Sequence, residues 1–464
     1  METMPLAAHF AWLWGLEHEL LLFASFWFAI GVIDETGIDL LWLVLRVTGR
    51  VKTSRVSEPA DSPLRGALAV LVPAWNESAV IGAMLDHALR VWPQRDLRIY
   101  VGCYSNDAAT LAALIGVSED SRLRIVVLDR VGPTTKADCL NRLYAALCQD
   151  ETRRGFHARG IILHDAEDMV HPAGLVLLDR GLDSADFVQL PVRPEPQAAS
   201  RWVGGHYCDE FAESHAKAMV VRDWLGVSLP AAGVGCAFSR AAIEAIAARR
   251  GSPDPFAAEC LTEDYEFGLL VSEAGGRGRF LRVRDENGQL VATREFFPAE
   301  LVAAVRQKTR WLHGIAFQGW ERLGWSASLP ELWMRLRDRR GPLTAVVLAV
   351  AYSLILLAPM LAAAGWVGVP KPGLAADNEQ ALHWLLALNF VALLWRIVAR
   401  CAFTAREYGL REGVWAVLRM PVGNVIAIMA ARRALTAYLA SLRSGQVIWD
   451  HTVHARLPQL AVAT

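Results

Sequence analysis

The sequence predicts an α/β domain set between membrane-associated helices. Three observations carry that expectation. Apolar, strand-like runs alternate with helical stretches between residues 66 and 330. A run without any charge follows at 343–369. Between them stand three short polar clusters in order: Asp165-Ala166-Glu167-Asp168, Thr262-Glu263-Asp264 and Gln307-Lys308-Thr309-Arg310-Trp311. Composition agrees, since 464 residues that are 53% hydrophobic, with mean hydropathy +0.26, are too apolar for an ordinary soluble protein. A 20% charged fraction is too high for a chain lying wholly in lipid. The chain therefore divides into an N-terminal anchor region (1–65), a middle domain (66–330) and a C-terminal membrane region with its tail (331–464).

At the N-terminus, residues 20–33 supply about 14 apolar residues, roughly 21 Å of helix, between Glu17 and Glu19 on one side and Asp34 and Glu35 on the other. No small-x-small cleavage site follows, so this segment reads as a retained anchor rather than a signal peptide. The run at 343–369, about 27 residues long, exceeds a hydrocarbon core of about 30 Å and reads as a span. Residues 381–403 read as a second, with Arg396 and Arg400 close enough to one end to snorkel. Residues 422–442 carry Arg432 and Arg433 near their middle, at a cost of about 5 to 7 kcal/mol for insertion. That segment reads as interfacial or packed against protein. Basic residues follow the first segment (Arg46, Arg50, Lys52, Arg55, Arg65), precede the second (Arg335, Arg337, Arg339, Arg340) and follow the third (Arg396, Arg400, Arg406, Arg411). The intervening loop sets only Lys371 against Asp377 and Glu379. The positive-inside rule thus places the N-terminus outside and the middle domain and tail in the cytoplasm.

Within the middle domain, 67–72, 97–102, 123–128 and 160–164 read as buried strands and 77–92 as a helix. In an open parallel sheet, ligands gather outside the carboxyl ends of the strands. No G-x-G-x-x-G follows the first strand and no G-x-x-x-x-G-K-[ST] occurs, which excludes a dinucleotide dehydrogenase and a P-loop NTPase. A net charge of −1 gives no electrostatic case for binding nucleic acid. Seven scattered cysteines form no zinc or disulfide pattern, as a reducing compartment would allow.

Each polar cluster has an ordinary reading beside a chemical one. Asp165 and Glu167, one residue apart just past the fourth strand, can reach one hard divalent cation such as Mg2+ or Mn2+, which needs few protein carboxylates; the plain alternative is a helix N-terminus before Pro172. Asp264, with Glu263 beside it, opens an amphipathic run to Val271, and serves either as a capping acid or as a general base for an attacking hydroxyl. Gln307 and Trp311 lie one turn apart on a helix beginning near Pro298. There Arg310 offers a fork for phosphate oxygens and Trp311 a platform for a sugar ring, unless both merely anchor an interfacial helix.

Together, in this order and spacing, the three clusters resemble the membrane-embedded family 2 glycosyltransferases of the polysaccharide-synthase kind. Four further stretches, Val72-Pro73-Ala74-Trp75-Asn76-Glu77, Gly132 to Asn141, His164 to Asp168 and the tail Trp449 to His454, are similar to the bacteriophage adsorption protein B branch. The resemblance runs from the first membrane segment nearly to the last residue. It implies a Rossmann-like GT-A catalytic domain that uses a nucleotide sugar, UDP-linked, by inversion. On that resemblance Pro73, Trp75 and Glu77 border the nucleotide pocket, while Asp107, Lys136 and Asp138 contact the base or diphosphate. Asp165 and Glu167 bind the metal, with Asp168 as the competing choice to complete its shell. Asp264 is the base, and Glu263, Gln307, Arg310 and Trp311 frame the active site. Two departures stand out: Glu167 replaces the second acid of the usual Asp-x-Asp, and Cys103 to Asp107 replaces the customary paired acids after the second strand. Some members carry a cyclic-dinucleotide sensor beyond the tail; none is expected in a sequence that stops at Thr464.

The function expected is transfer of a sugar to a growing exopolysaccharide from the cytoplasmic face of a bacterial inner membrane, coupled to export. The bilayer, a glycan acceptor, and a second copy or an outer-envelope export partner would be its associates. Single-sugar transfer to a lipid carrier, and a non-catalytic role in an export or phage-reception complex, stay open as alternatives.

Overall fold

A computed structural model describes residues 6–326, 328–366, 376–444 and 457–458. The tail motif Trp449 to His454, the loop residue Lys371 and the end of the uncharged run at 367–369 lie outside them.

Chain order begins with α1 (Leu6–Val47) and the short β1 (Ser54–Arg55). The first half of the middle domain follows: β2 (Ala67–Pro73), α2 (Ile81–Val91), β3 (Leu97–Tyr104), α3 (Ala108–Ile115), β4 (Leu123–Leu128), α4 (Lys136–Arg154) and β5 (Ala158–Leu163). The second half holds α5 (Gly174–Gly181), β6 (Phe187–Gln189), β7 (Val192–Pro194), α6 (Val203–Glu213), α7 (Met219–Leu225), β8 (Cys236–Ser239), α8 (Arg240–Arg250), α9 (Glu263–Glu273), β9 (Gly278–Phe280), β10 (Val283–Arg284), β11 (Thr293–Glu295) and α10 (Leu301–Leu312). The chain closes with α11 (Gly319–Leu323), α12 (Leu329–Arg339), α13 (Gly341–Trp366), α14 (Ala376–Tyr408) and α15 (Leu410–Ser444).

Seven strands form the central sheet in the order β4-β3-β2-β5-β8-β6-β9. The four expected strands are β2 to β5, each within a few residues of its predicted bounds and all mutually parallel. Strand β8 enters antiparallel to both β5 and β6. Strands β6, β8 and β9 are three or four residues long, too short to leave a periodic signal.

Alternation along β2 shows why the sheet is covered on both sides. Leu68, Val70 and Val72 pack with Met84 and Leu85 of α2 and Leu175 and Leu178 of α5, whereas Ala69 and Leu71 face Leu140, Leu143 and Leu147 of α4. With neither face wet, the strand must be apolar at every position. The α/β domain expected from the sequence is therefore present, with the antiparallel β8 making its sheet mixed, and its parallel strands β2 to β5 all deliver their carboxyl ends to one edge.

Among the described residues, three helices are long and apolar enough to cross a membrane: Gly341–Trp366, Glu379–Tyr408 and Leu410–Arg443. The first two are the spans expected. Residues 422–442, expected to lie in the interface or against protein, are the second half of a 35-residue helix, α15, that is apolar enough over part of its length to be a further candidate span. That helix also packs on protein, burying Ile426, Ala430 and Ala434 as it runs along α6 and α10. Helix α1, which holds the expected anchor, lies along α13 and α14. Ion pairs fix its height: Glu35 meets Arg337 of α12 at 3.0 Å and Arg396 of α14 at 3.3 Å, and Asp39 meets Lys217 at 2.5 Å.

Candidate active site

One cavity of about 610 Å3 opens at the carboxyl ends of β2, β3 and β5 and reaches α9, α10 and α12. Of the fourteen residues singled out from the sequence, eleven line it: Pro73, Trp75 and Glu77 after β2; Lys136 at the start of α4; Asp165 and Glu167 after β5; Glu263 and Asp264 at the start of α9; and Gln307, Arg310 and Trp311 on α10. Asp107, Asp138 and Asp168 do not.

Those three have other work. Asp107 caps α3 by accepting the Thr110 N–H at 3.2 Å, and its second oxygen accepts the Asn76 N–H at 2.7 Å. Asn76 sits at φ 58, a left-handed conformation that asparagine tolerates, so Asp107 seats the β2–α2 loop rather than touching its ligand. Asp138 pairs with the exposed Arg130 at 3.3 Å. Asp168 accepts from the Asp165 N–H at 2.9 Å and lies 2.7 Å from His164 Nδ1, locking the turn that presents Asp165 and Glu167. Sequence could not separate these roles, because an acid beside a strand end looks the same whether it points into the cleft or into the loop's own backbone.

At the centre, Lys136 Nζ lies 2.5 Å from Asp165 Oδ1. Burial alone would depress the lysine, but Asp165, Glu263 and Asp264 together outweigh it and hold the ammonium above its ordinary value. Burial and the neighbouring Asp264 push Glu263 up to about 8, so it keeps its proton at neutral pH. Burial also raises Asp264, with Lys136 drawing it back toward the ionised form. Asp264 stands in the first turn of α9 and accepts the Tyr265 N–H at 2.7 Å, so the helix-start reading and the cavity position hold at once.

Gly233 makes room for this carboxylate. A Cβ there would lie 2.3 Å from Asp264 Oδ2, and its φ of +78° is one that side chains rarely adopt. Gly233→Ala should therefore shift Asp264 and cut turnover about a hundredfold, with nucleotide affinity largely retained. Steady-state kinetics with a donor-binding titration check this, and unchanged kcat would refute it.

Glu295, at the end of β11, went unnoticed in the sequence because no motif surrounds it. Burial raises its pKa, and the charges of Asp168, Glu167 and Asp165 add to that. Lys136 thus faces several carboxyls gathered from α4's neighbours β5, α9 and β11. Among the described residues no three His, Cys, Asp or Glu side chains are grouped to hold an ion. The donor set instead suits a divalent cation taking one or two carboxylates here and the rest of its shell from a diphosphate and water.

Opposite the acids, Trp311 packs edge-on to Tyr207 (centroids 6.2 Å, 85°) and Phe297 (6.3 Å, 74°), with Lys308 Nζ 5.2 Å over its ring. Lys308 is held by Glu210, another cavity residue that the sequence did not flag. Gln307 Oε1 is buried and has no hydrogen-bond partner among the described residues. Behind Trp311 the chain widens into a π-helical turn, His313–Gln318, a departure from α geometry that often marks functional sites. At the far end Trp75 stands edge-on to Tyr104 (5.2 Å, 87°), whose hydroxyl lies 2.6 Å from Thr134 Oγ1. The loop behind is pinned by Asn106, whose amide donates to the Gly132 carbonyl and accepts its N–H, both at 2.9 Å.

The class recognised from the motifs holds. Residues 65–314 match the family described as Glycosyltransferase like family 2, and the chain belongs to it. Bacteriophage adsorption protein B of Escherichia coli (strain K12) is 35% identical over 471 residues, covering 96% of this chain and 62% of that protein. Bacteriophage N4 adsorption protein B of Escherichia coli O157:H7 matches to the same extent. The chain thus spans about 62% of the length of these relatives. Among solved structures, a mannosyltransferase from Pyrobaculum calidifontis in complex with GDP-Man and Mn2+ is similar with TM-score 0.49 and 18% identity, over 87% of this chain and 99% of that one. Glucosyl-3-phosphoglycerate synthase from Mycobacterium tuberculosis, with Mn2+, UDP and phosphoglyceric acid, is similar at TM-score 0.32 and 18% identity, over 50% and 72%.

Proposed function

We propose that this chain is an inverting glycosyltransferase of the bacterial inner membrane, with its catalytic domain in the cytoplasm, that moves a sugar from a UDP-linked donor to a growing exopolysaccharide coupled to export. The observation that carries this reading is the meeting of Asp165, Asp264, Arg310 and Trp311 in one cavity, although they come from three distant stretches of chain. Family membership supplies the reaction class. Basic residues at the membrane-segment ends support the orientation, and seven free cysteines suit a reducing cytosol.

In this mechanism Trp75, Tyr104 and Pro73 wall the nucleotide end, while Trp311 presents its ring to the sugar. Asp165 and Glu167 would hold the divalent cation, which when bound neutralises charge on the leaving diphosphate. Arg310 adds a charge-assisted fork to the same oxygens. Asp264 takes the proton of the acceptor hydroxyl as its oxygen attacks the anomeric carbon; the carbon–phosphate oxygen bond breaks and the configuration inverts. Glu263, protonated near neutral pH, keeps a second negative charge away from the base.

Purified protein assayed with a panel of UDP-sugars should release UDP with one of them, and release should stop with EDTA and return with Mg2+ or Mn2+. Product chains longer than one sugar in isolated membranes are expected. A single added sugar on a lipid would replace the polymer reading, and absence of any donor cleavage would remove the transferase reading.

A further inference from the structure

A second cavity, of about 320 Å3, shares no lining residue with the first. Its wall is a collar of cations drawn from three separate parts of the chain. Arg46, Arg50 and Lys52 come from the end of α1 and the segment after it; Arg277, Arg279 and Arg282 come from the region of β9; Arg406 comes from the last turns of α14. Helix C-termini attract basic residues, which accounts for Arg46 and Arg406 alone. It does not explain why the soluble domain turns three more arginines toward the same hollow.

The acids nearby are already committed. Asp223, the one carboxylate in the wall, accepts from Arg279 Nε at 3.1 Å and from the Phe280 N–H at 2.9 Å. Glu407 is shared by Arg282 at 2.5 Å and Arg284 at 2.6 Å. Among the described residues, Arg46, Arg50, Lys52, Arg277 and Arg406 have no carboxylate within ion-pair distance. The fold thus maintains a concave cluster of positive charge that an anion would relieve.

Position narrows the occupant. Arg406 closes the candidate span Glu379–Tyr408, and α1 runs beside that helix, so the hollow lies where a membrane would meet the soluble domain. Along α1 beside it, Leu43, Val44 and Val47 are exposed apolar side chains, and Trp42 and Trp224 stand in the wall. Indole rings and aliphatic side chains next to a cationic pocket suit a ligand with a charged head and a greasy body.

We propose that this pocket binds the phosphate of an anionic lipid, whose acyl chains lie along α1, and so seats the catalytic domain at a fixed height on the membrane. The site is independent of the transferase reading, and so is its test. Full-length protein in nanodiscs mixing phosphatidylglycerol with phosphatidylcholine should, on extraction, retain phosphatidylglycerol preferentially by native mass spectrometry. The combined substitution Arg50→Gln, Arg277→Gln and Arg406→Gln, all exposed and without ion pairs, should lower that preference roughly tenfold. Arg95→Gln, Arg153→Gln and Arg249→Gln, exposed elsewhere on the domain, should leave it unchanged. Equal preference in wild type and the first triple variant would overturn the proposal. So would binding of inorganic phosphate or UDP that the triple variant abolishes when no lipid preference exists, since the occupant would then come from solution.

Discussion

Asp264→Asn is expected to abolish sugar transfer while leaving nucleotide binding intact. Asparagine keeps the size of the side chain and fits beside Gly233, so the cavity wall survives, but it cannot take a proton. Loss of a positioned general base costs about 10²–10⁴-fold in rate, the largest effect any single cavity residue should show short of unfolding. A paired measurement is needed: turnover by UDP release, and UDP affinity by calorimetry. Near-normal turnover would exclude the base assignment, whereas loss of UDP affinity would move Asp264 into the binding role. The wild-type pH profile gives an independent sign. Only the ionised carboxylate accepts a proton, and burial raises the Asp264 pKa, so activity should fall as pH drops through a limb lying above the ordinary carboxylate range. Asp264→Asn should remove that limb from any residual activity.

Arg419→Ala is expected to destabilise the whole assembly, although Arg419 does not line the cavity. Its guanidinium is 1% exposed and forks onto Asp209 of α6, with Nε–Oδ2 and Nη2–Oδ1 both at 2.7 Å, while Nη1 meets Glu412 at 2.7 Å. Thr404 Oγ1 supplies a further contact to Asp209 at 3.3 Å. Gly205 leaves the space: a Cβ there would sit 2.7 Å from Nη1. Truncation to alanine would strand Asp209, 4% exposed, without its partner, at a cost of about 3–5 kcal/mol. Because Ile426 of α15 packs in one cluster with Val305 of α10 and against Trp311, loosening α15 also loosens the Trp311 platform. Thermal unfolding in detergent should report a lower Tm, together with weaker donor binding. The pair Asp209→Leu with Arg419→Met should recover much of the Tm, since matched apolar groups often replace a buried ion pair without loss. An unchanged Tm in Arg419→Ala would show that α15 docks by other means.

Much of the candidate site was legible because its residues sit beside strong local signals. Asp165 follows a strand with the apolar run Ile161-Ile162-Leu163, Asp264 opens a helix, and Arg310 and Trp311 share a helix with their polar neighbours; each signal lies within a few residues of its motif. Asp107, Asp138 and Asp168 carried the same kind of signal yet face a loop backbone, an outer arginine and His164. Glu295, Glu210 and Gly233 carried none and nevertheless belong to the cavity or shape it. A side chain's direction at a strand end depends on the turn that follows, and short-range pattern does not encode it.

What the sequence by itself determined is the layered α/β domain, its four parallel strands β2 to β5, the two clear candidate spans and the family to which the motifs belong. Hydrophobic periodicity and motif spacing are local, so they can be read without coordinates. Only the tertiary structure decided which carboxylates converge on Lys136, that α15 is one long helix braced against α6 and α10, and that arginines from three parts of the chain ring a second hollow. Each of these joins residues from separate elements of the chain, and which distant side chains meet is set by packing, which brings together surfaces whose sequence separation carries no signal of its own.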